Sequence, residues 1–304
     1  MATEVKHSGG IHFKKAKCMG KTDDNGEIEC TTTAAMVIVN GDAYVLKYLY
    51  DKDNHNPSTA ILYLVKNISG SETHSKLQIY KTVSNVHKYV FFKHLNSITY
   101  YNSKFYIVDL KRAIYRLSMN GHIEREYTLD SSMTAANITV EDFATIEHYS
   151  GDLFILGGKK NNKDGIRKYW IVQIDEEKKL IIKKGSFRCS GCAAEDWFGN
   201  DICYDVNTKL FYITLVYKKD DVPIENKIFT YDLSKLNTDI DYVTAYQPTR
   251  ILYELINEQK EKRIEYEGMS IWNNKKYVVI EQNLIISEEG KQDDAIAILS
   301  KVKN

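Results

Sequence analysis

Along most of this chain apolar and polar residues alternate with a period of two, the spacing that puts every second side chain on one face of a strand. The runs are short and are broken by Asn, Gly, Ser and Asp pairs, the residues that turn a hairpin. One phrase recurs: an alternating run, a tight turn, then a run rich in aromatics. It reads NSITYYNSKFYIVDL at Asn96–Leu110, ATIEHYSGDLFILGG at Ala144–Gly158, NDICYDVNTKLFYITLV at Asn200–Val216 and EGMSIWNNKKYVVIE at Glu267–Glu281. A looser first copy is TAAMVIVNGDAYVLKY at Thr33–Tyr48. Each copy predicts a β-hairpin.

Two further strands are expected after each hairpin. The third strands read AILYLV (Ala60–Val65), AIYRLS (Ala113–Ser118), YWIVQID (Tyr169–Asp175), KIFTYDL (Lys227–Leu233) and AIAILS (Ala295–Ser300). Fourth strands are expected at Leu77–Val83, His122–Leu129, Leu180–Phe187 and Arg250–Ile256. The fifth unit reaches Asn304 without a fourth strand, and Gly10–Cys18, GIHFKKAKC, resembles Lys179–Cys189, KLIIKKGSFRC. The expected architecture is all-β: one domain over 1–304, a five-bladed β-propeller whose N-terminal strand completes the last blade and leaves no open edge. The alternative is a two-sheet sandwich. Equivalent positions Tyr44, Phe105, Leu153, Phe211 and Tyr277 are 61, 48, 58 and 66 residues apart, blade lengths rather than sandwich strand spacings.

In such a disc the loops that lead into the inner strands, and those joining second to third strands, gather on one face. They are the long, polar ones here, which makes that face the expected site. Residues at or near inner-strand starts are polar: Asn96, Glu141, Asp142, Asn200, Asp201, Glu265 and Glu267, with Trp197 and Tyr266 beside them. Such a ring can bind hydroxyls, hold a cation, or supply an acid and a base, or it can simply hydrate a channel. Asn96, Glu141, Trp197, Asn200, Glu265 and Tyr266 are the expected ligand-binding residues. Asp142, Asp201 and Glu267 are the candidate catalytic set. Gly268 after Glu267 would let another group approach closely.

Charge and cysteines narrow the classes. Lys and Arg total 41 and so do Asp and Glu, which removes the positive field a nucleic-acid or polybasic membrane-surface protein needs. No apolar run is long enough to span a bilayer. The N-terminus shows no leader, so a cytoplasmic monomer is expected, a leaderless or trimmed secreted form being the alternative. Five cysteines preclude complete internal pairing. Cys189 and Cys192 have redox or metal-ligand spacing and, with Cys18 and Cys30, form the only thiolate set to weigh for zinc; ordinary thiols are the simpler reading, and no metal site is expected. No cofactor motif is present.

The blade count with acids at inner-strand starts resembles the arabinanase and invertase-like glycosidases. That resemblance implies two Asp and one Glu on different blades, which Asp142, Asp201 and Glu267 match. It departs from the family in the first blade, where Thr31-Thr32-Thr33 stands in place of an Asn-Asp-Pro phrase. Asp201–Asn237 and Ile264–Glu281 resemble helveticin J-like bacteriocin proteins, which would imply action on bacterial envelopes. Three functions follow: a propeller binding a small molecule, glycan or peptide at its channel mouth, a hydrolase or lyase using the three carboxylates, or a protein-interaction scaffold.

Overall fold

A computed structural model describes residues 2–12, 17–19, 27–29, 32–48, 59–90, 92, 95–109, 113–135, 138, 143–158, 165–191, 197–219, 222–255, 262–284 and 294–301. The protein is all-β, with one short helix, Ser131–Ala135, among these residues. Its strands group into antiparallel units of four. The first unit is Thr32–Val39, Asp42–Tyr48, Ala60–Lys66 and Thr73–Gln78. The second is Leu95–Tyr101, Lys104–Asp109, Ala113–Ser118 and Ile123–Leu129. The third is Phe143–Ser150, Leu153–Gly158, Arg167–Asp175 and Leu180–Cys189. The fourth is Trp197–Asp205, Leu210–Lys219, Val222–Asp232 and Arg250–Leu255. The last is Lys262–Trp272, Lys275–Leu284 and Ala295–Lys301, with Ala2–His12 as its fourth strand.

Local chemistry explains the hairpins. Asn40-Gly41, Asn102-Ser103 and Asn273-Asn274 all have positive φ, the two-residue turn whose twist matches that of its flanking strands. Strand faces then bury their apolar residues between consecutive units. Leu46 and Leu62 of the first unit meet Phe105 and Tyr115 of the second. Tyr106 and Tyr127 meet Phe154 and Val172 of the third, and Tyr169 and Phe187 meet Phe211 and Tyr231 of the fourth. Tyr212 and Ile228 pack on Tyr266 and Val278 of the last, and its Tyr277 and Val279 pack on Val45 and Tyr63 of the first. The seams therefore run from the first unit to the last and back to the first, the closed ring of a β-propeller.

The N-terminus closes the last unit, but not with the expected segment. Ala2–His12 pairs antiparallel with the strand Ala295–Lys301, from Val5 opposite Lys301 to His12 opposite Ala295. Its first residues also run parallel to Arg250–Leu255 and tie the fourth unit to the last. Of the expected Gly10–Cys18, only Gly10–His12 lies in that strand, while Lys17–Met19 pairs with Glu27–Glu29. An outermost strand gets its energy from the backbone ladder and one apolar face, so ATEVKHSGGIH carries little pattern to read. In the first unit the fourth strand is likewise Thr73–Gln78 rather than Leu77–Val83, and Tyr80–Val83 forms its own hairpin with Val86–Tyr89. One strand the pattern did not reveal, Asp241–Tyr246, lies parallel on the outer strand of the third unit.

Candidate functional site

The first strand of each unit packs against the first strand of the next, and that of the last unit against that of the first. All carry the same irregularity. Register against the second strand slips between Thr33 and Ala35, Leu95 and Ser97, Phe143 and Thr145, Gly199 and Asp201, and Tyr266 and Gly268. Ala34, Asn96, Ala144, Asn200 and Glu267 are the extra residues of equivalent β-bulges, a device that re-aims side chains. The bulges sit toward the opening ends of these strands, on the face of the second-to-third connections.

Directly below lie Ala35, Ser97, Thr145, Asp201 and Gly268, and here the axis is bridged. Ser97 Oγ of the second unit is 2.9 Å from Asp201 Oδ1 of the fourth, across the third. Ser97 also accepts the Ile146 N–H at 3.1 Å. The Asp201 carboxylate further accepts the backbone N–H groups of Ile202 and Met269. Gly268 completes the layer: a Cβ there would stand 2.8 Å from Met36 N and 3.1 Å from Asp201 Oδ2. The close approach expected at Gly268 is thus made by the protein's own backbone and by Asp201.

Two residues further along come Val37, Thr99, Glu147, Cys203 and Ser270. The inner edge of a first strand has no ladder partner, so its buried N–H groups need acceptors. They come from the preceding unit. Thr99 Oγ1 accepts the His148 N–H at 3.1 Å and Ser270 Oγ accepts the Ile38 N–H at 3.1 Å. Glu147 accepts from the Tyr204 N–H and the Thr99 hydroxyl, and Cys203 accepts the Ile271 N–H. The side chains of one unit pin the backbone of the next around four of the seams; at the seam from the first unit to the second the equivalent residue is Val37.

Burial dominates the electrostatics. It pushes the Asp201 carboxyl well above the usual carboxylate range in spite of its hydrogen bonds. Glu147 is pushed up by burial first and by the Asp201 charge second, and the Cys203 thiol moves up for the same reasons. Nearer the opening ends, Glu265 is ion-paired with Lys218 at 2.7 Å. Asp294 accepts from Lys47 Nζ at 2.5 Å and from Thr33 Oγ1 at 2.7 Å, all three buried. On the opposite rim Glu176 gathers Arg116, Tyr106 at 3.0 Å and Tyr127 at 2.7 Å between the second and third units.

The structure thus places the sequence-derived candidates unequally. Asp201 is fully buried at the axis, and Glu267 and Asn96 are half-buried bulge residues. Asn96 Nδ2 donates to Ala144 O at 3.0 Å. Glu265 is buried, and Tyr266 is fully buried with its hydroxyl bonded to Glu254. Trp197 and Asn200 lie in the strand Trp197–Asp205, and of these two only the backbone is described. Glu141 and Asp142 lie outside the described residues, as do Cys30 and Cys192. Cys189 and Cys203 are buried and form no disulfide, and no cluster of His, Cys, Asp and Glu suited to a metal occurs among the described residues. Glu147, Ser97, Thr99 and Asn226 escaped the sequence reading. Their signal is a polar residue at every second position of an otherwise apolar strand.

A family model agrees with the architecture. The model of the YycP β-propeller domain matches residues 10–187. No curated protein matches the chain. Among solved structures, a tail fibre of a Staphylococcus aureus phage is similar at 14% identity and TM-score 0.45, over 95% of this chain and 53% of that one. Apo AztD from Citrobacter koseri is similar at 12% identity and TM-score 0.36, over 91% of this chain and 78% of that one. An exo-β-1,3-galactanase from Phanerochaete chrysosporium with bound galactotriose is similar at 7% identity and TM-score 0.44, over 92% of this chain and 66% of that one. The chain spans about half the length of the tail fibre.

Proposed function

We propose, from the premise that this chain belongs to the YycP β-propeller domain family, that it is a five-bladed propeller that binds a small molecule, glycan or peptide at the opening ends of its first strands without transforming it. The five-blade count is supported by the apolar seams, which return from the last unit to the first. The observation that carries the binding reading is the Ser97–Asp201 bridge across the axis. It spans the axis one layer below the bulges, so a ligand at the opening ends of the first strands would rest above it. Asn96, Asn200 and Glu267 are bulge residues just above that bridge. Two amides and a carboxylate suit a ligand rich in hydroxyl or amide groups. Glu141, Asp142 and Trp197 extend this reading by sequence alone.

Hydrolysis fits less well. A catalytic carboxylate must reach the proton it moves, and Asp201 is 2% exposed with its oxygens holding Ser97, Ile202 and Met269. The test is a panel of neutral saccharides and peptides, followed by thermal unfolding and titration calorimetry. A ligand that binds the wild-type protein and loses at least tenfold affinity in Glu267→Gln and Asn96→Ala supports the reading. A ligand indifferent to both variants overturns it, and glycoside turnover abolished in Asp201→Asn would make the protein an enzyme.

A further inference from the structure

Third-strand positions can be matched across three of the units through their pairing. Tyr169, Ile228 and Ile296 pair with Gly157, Thr214 and Val279, which in turn pair with the post-bulge residues Thr145, Asp201 and Gly268. Two positions earlier lie Arg167, Asn226 and Asp294, so these three occupy one structural station. At two of them the station is closed by its own chain. Asn226 donates to Ile264 O and accepts the Tyr266 N–H, both at 3.1 Å, and pins the opening of the last unit's first strand. Asp294 meets Thr33 and Lys47 of the first unit.

Arg167 is different. It is 8% exposed and shares the strand face of Tyr169 and Ile171, which pack on Ile202, Phe211 and Leu215 of the fourth unit. Its Nε is buried and makes no hydrogen bond, and no carboxylate among the described residues is ion-paired with it. A guanidinium does not shed its charge, and a buried one without a partner is costly. Where the equivalent Asp294 has a lysine of the next unit opposite it, Arg167 has no ion-pair partner among the described residues.

We propose that Arg167 binds an oxyanion, the carboxylate or phosphate group of a ligand seated at the mouth between the third and fourth units. This rests on the mouth-binding reading and adds the chemical class of the ligand. The planar fork of a guanidinium accepts two oxygens of either group at once, where a lysine offers a point charge. The anion would lie between Arg167 and the opening of the strand Trp197–Asp205, the place that Asn226 fills at the next seam.

Thermal unfolding in sodium phosphate and, separately, sodium acetate, with sodium chloride holding ionic strength constant, tests this on the full chain. The wild-type protein should show a saturable rise in midpoint. Arg167→Lys should bind at least fivefold more weakly, and Arg167→Met should not respond. Without either anion Arg167→Met should unfold no earlier than wild type, because it removes a cation that has no ion-pair partner among the described residues; a purely structural arginine would make it unfold earlier. An equal response in Arg167→Met, no saturable response in the wild type, or early unfolding of Arg167→Met overturns the proposal. The two readings fail separately. A neutral ligand lost in Glu267→Gln, with no anion response, keeps the mouth and removes Arg167; an Arg167-dependent anion response, with nothing bound from the neutral panel, does the reverse.

Discussion

Asp201 is the residue on which the inner ring depends most, and replacing it separates its two properties, acceptor and acid. In Asp201→Ala the Met269 and Ile202 N–H groups lose their side-chain acceptor inside the protein, while the Ser97 hydroxyl still has Ile146 O at 3.1 Å. A buried donor left unsatisfied costs about 1–3 kcal/mol, so the two together should cost about 2–6 kcal/mol. At roughly 2 °C per kcal/mol for a chain of this size, the melting midpoint should fall by about 4–12 °C. Asp201→Asn keeps an acceptor oxygen and should lose far less. The pH dependence has the opposite sign to that of an ordinary paired carboxylate. Burial raises the folded-state pKa of Asp201, so above the usual carboxylate range the folded protein holds a proton that the unfolded chain has released. Stability is then complete at low pH and falls as pH rises toward the folded value, by up to about 1.4 kcal/mol per pH unit for one proton. Glu147, raised by burial and by Asp201, adds to the same slope. Denaturant unfolding of wild type, Asp201→Ala and Asp201→Asn from pH 4 upward is the assay, with Asp201→Asn gaining on wild type as pH rises. A loss below about 0.5 kcal/mol in Asp201→Ala, or a wild type that gains on Asp201→Asn with pH, would refute the reasoning.

Other consequences are simpler to state. Gly268→Ala puts a methyl 2.8 Å from Met36 N and 3.0 Å from Ala35 Cα, both backbone atoms; overpacking of this kind should cost about 1–3 kcal/mol in denaturant unfolding. Deleting residues 2–12 removes the outer strand of the last unit and its parallel contact with the fourth; size-exclusion chromatography should show association through the bared edge, together with a lower melting midpoint. Tyr127→Phe takes away one of the hydroxyls held by Glu176 and should cost about 1 kcal/mol, with no change in ligand binding because that rim is opposite the mouth.

The fold was readable because hairpins announce themselves. Asn-Gly, Asn-Ser and Asn-Asn sit between apolar runs, and all three form positive-φ turns in the structure. Outer strands were harder: Ala2–His12 and Thr73–Gln78 are largely polar, and their positions are set by the ladder they join. The bulges could not be read at all, since register against a partner strand is a tertiary property. That is why Asn96, Asn200 and Glu267 looked like strand openings when they are the extra residues of bulges. Asp201 was legible as a special carboxylate but not as a fully buried one. Glu147 was missed because an acid in an alternating run normally faces water. Here the alternation points it at the N–H edge of the next unit, and the recurrence of Ser97 and Thr99, Asp201 and Cys203, Gly268 and Ser270 two residues apart is the pattern that would have shown it.

Hydrogen exchange followed by mass spectrometry, with and without the tightest ligand from the panel, tests the central claim most directly. Binding at the mouth predicts new protection at the opening ends of the first strands, in peptides covering 32–35, 95–97, 143–145, 197–201 and 262–268. Protection confined to the outer rim, in 80–89 or 241–246, would contradict it and make the protein a scaffold whose mouth is idle.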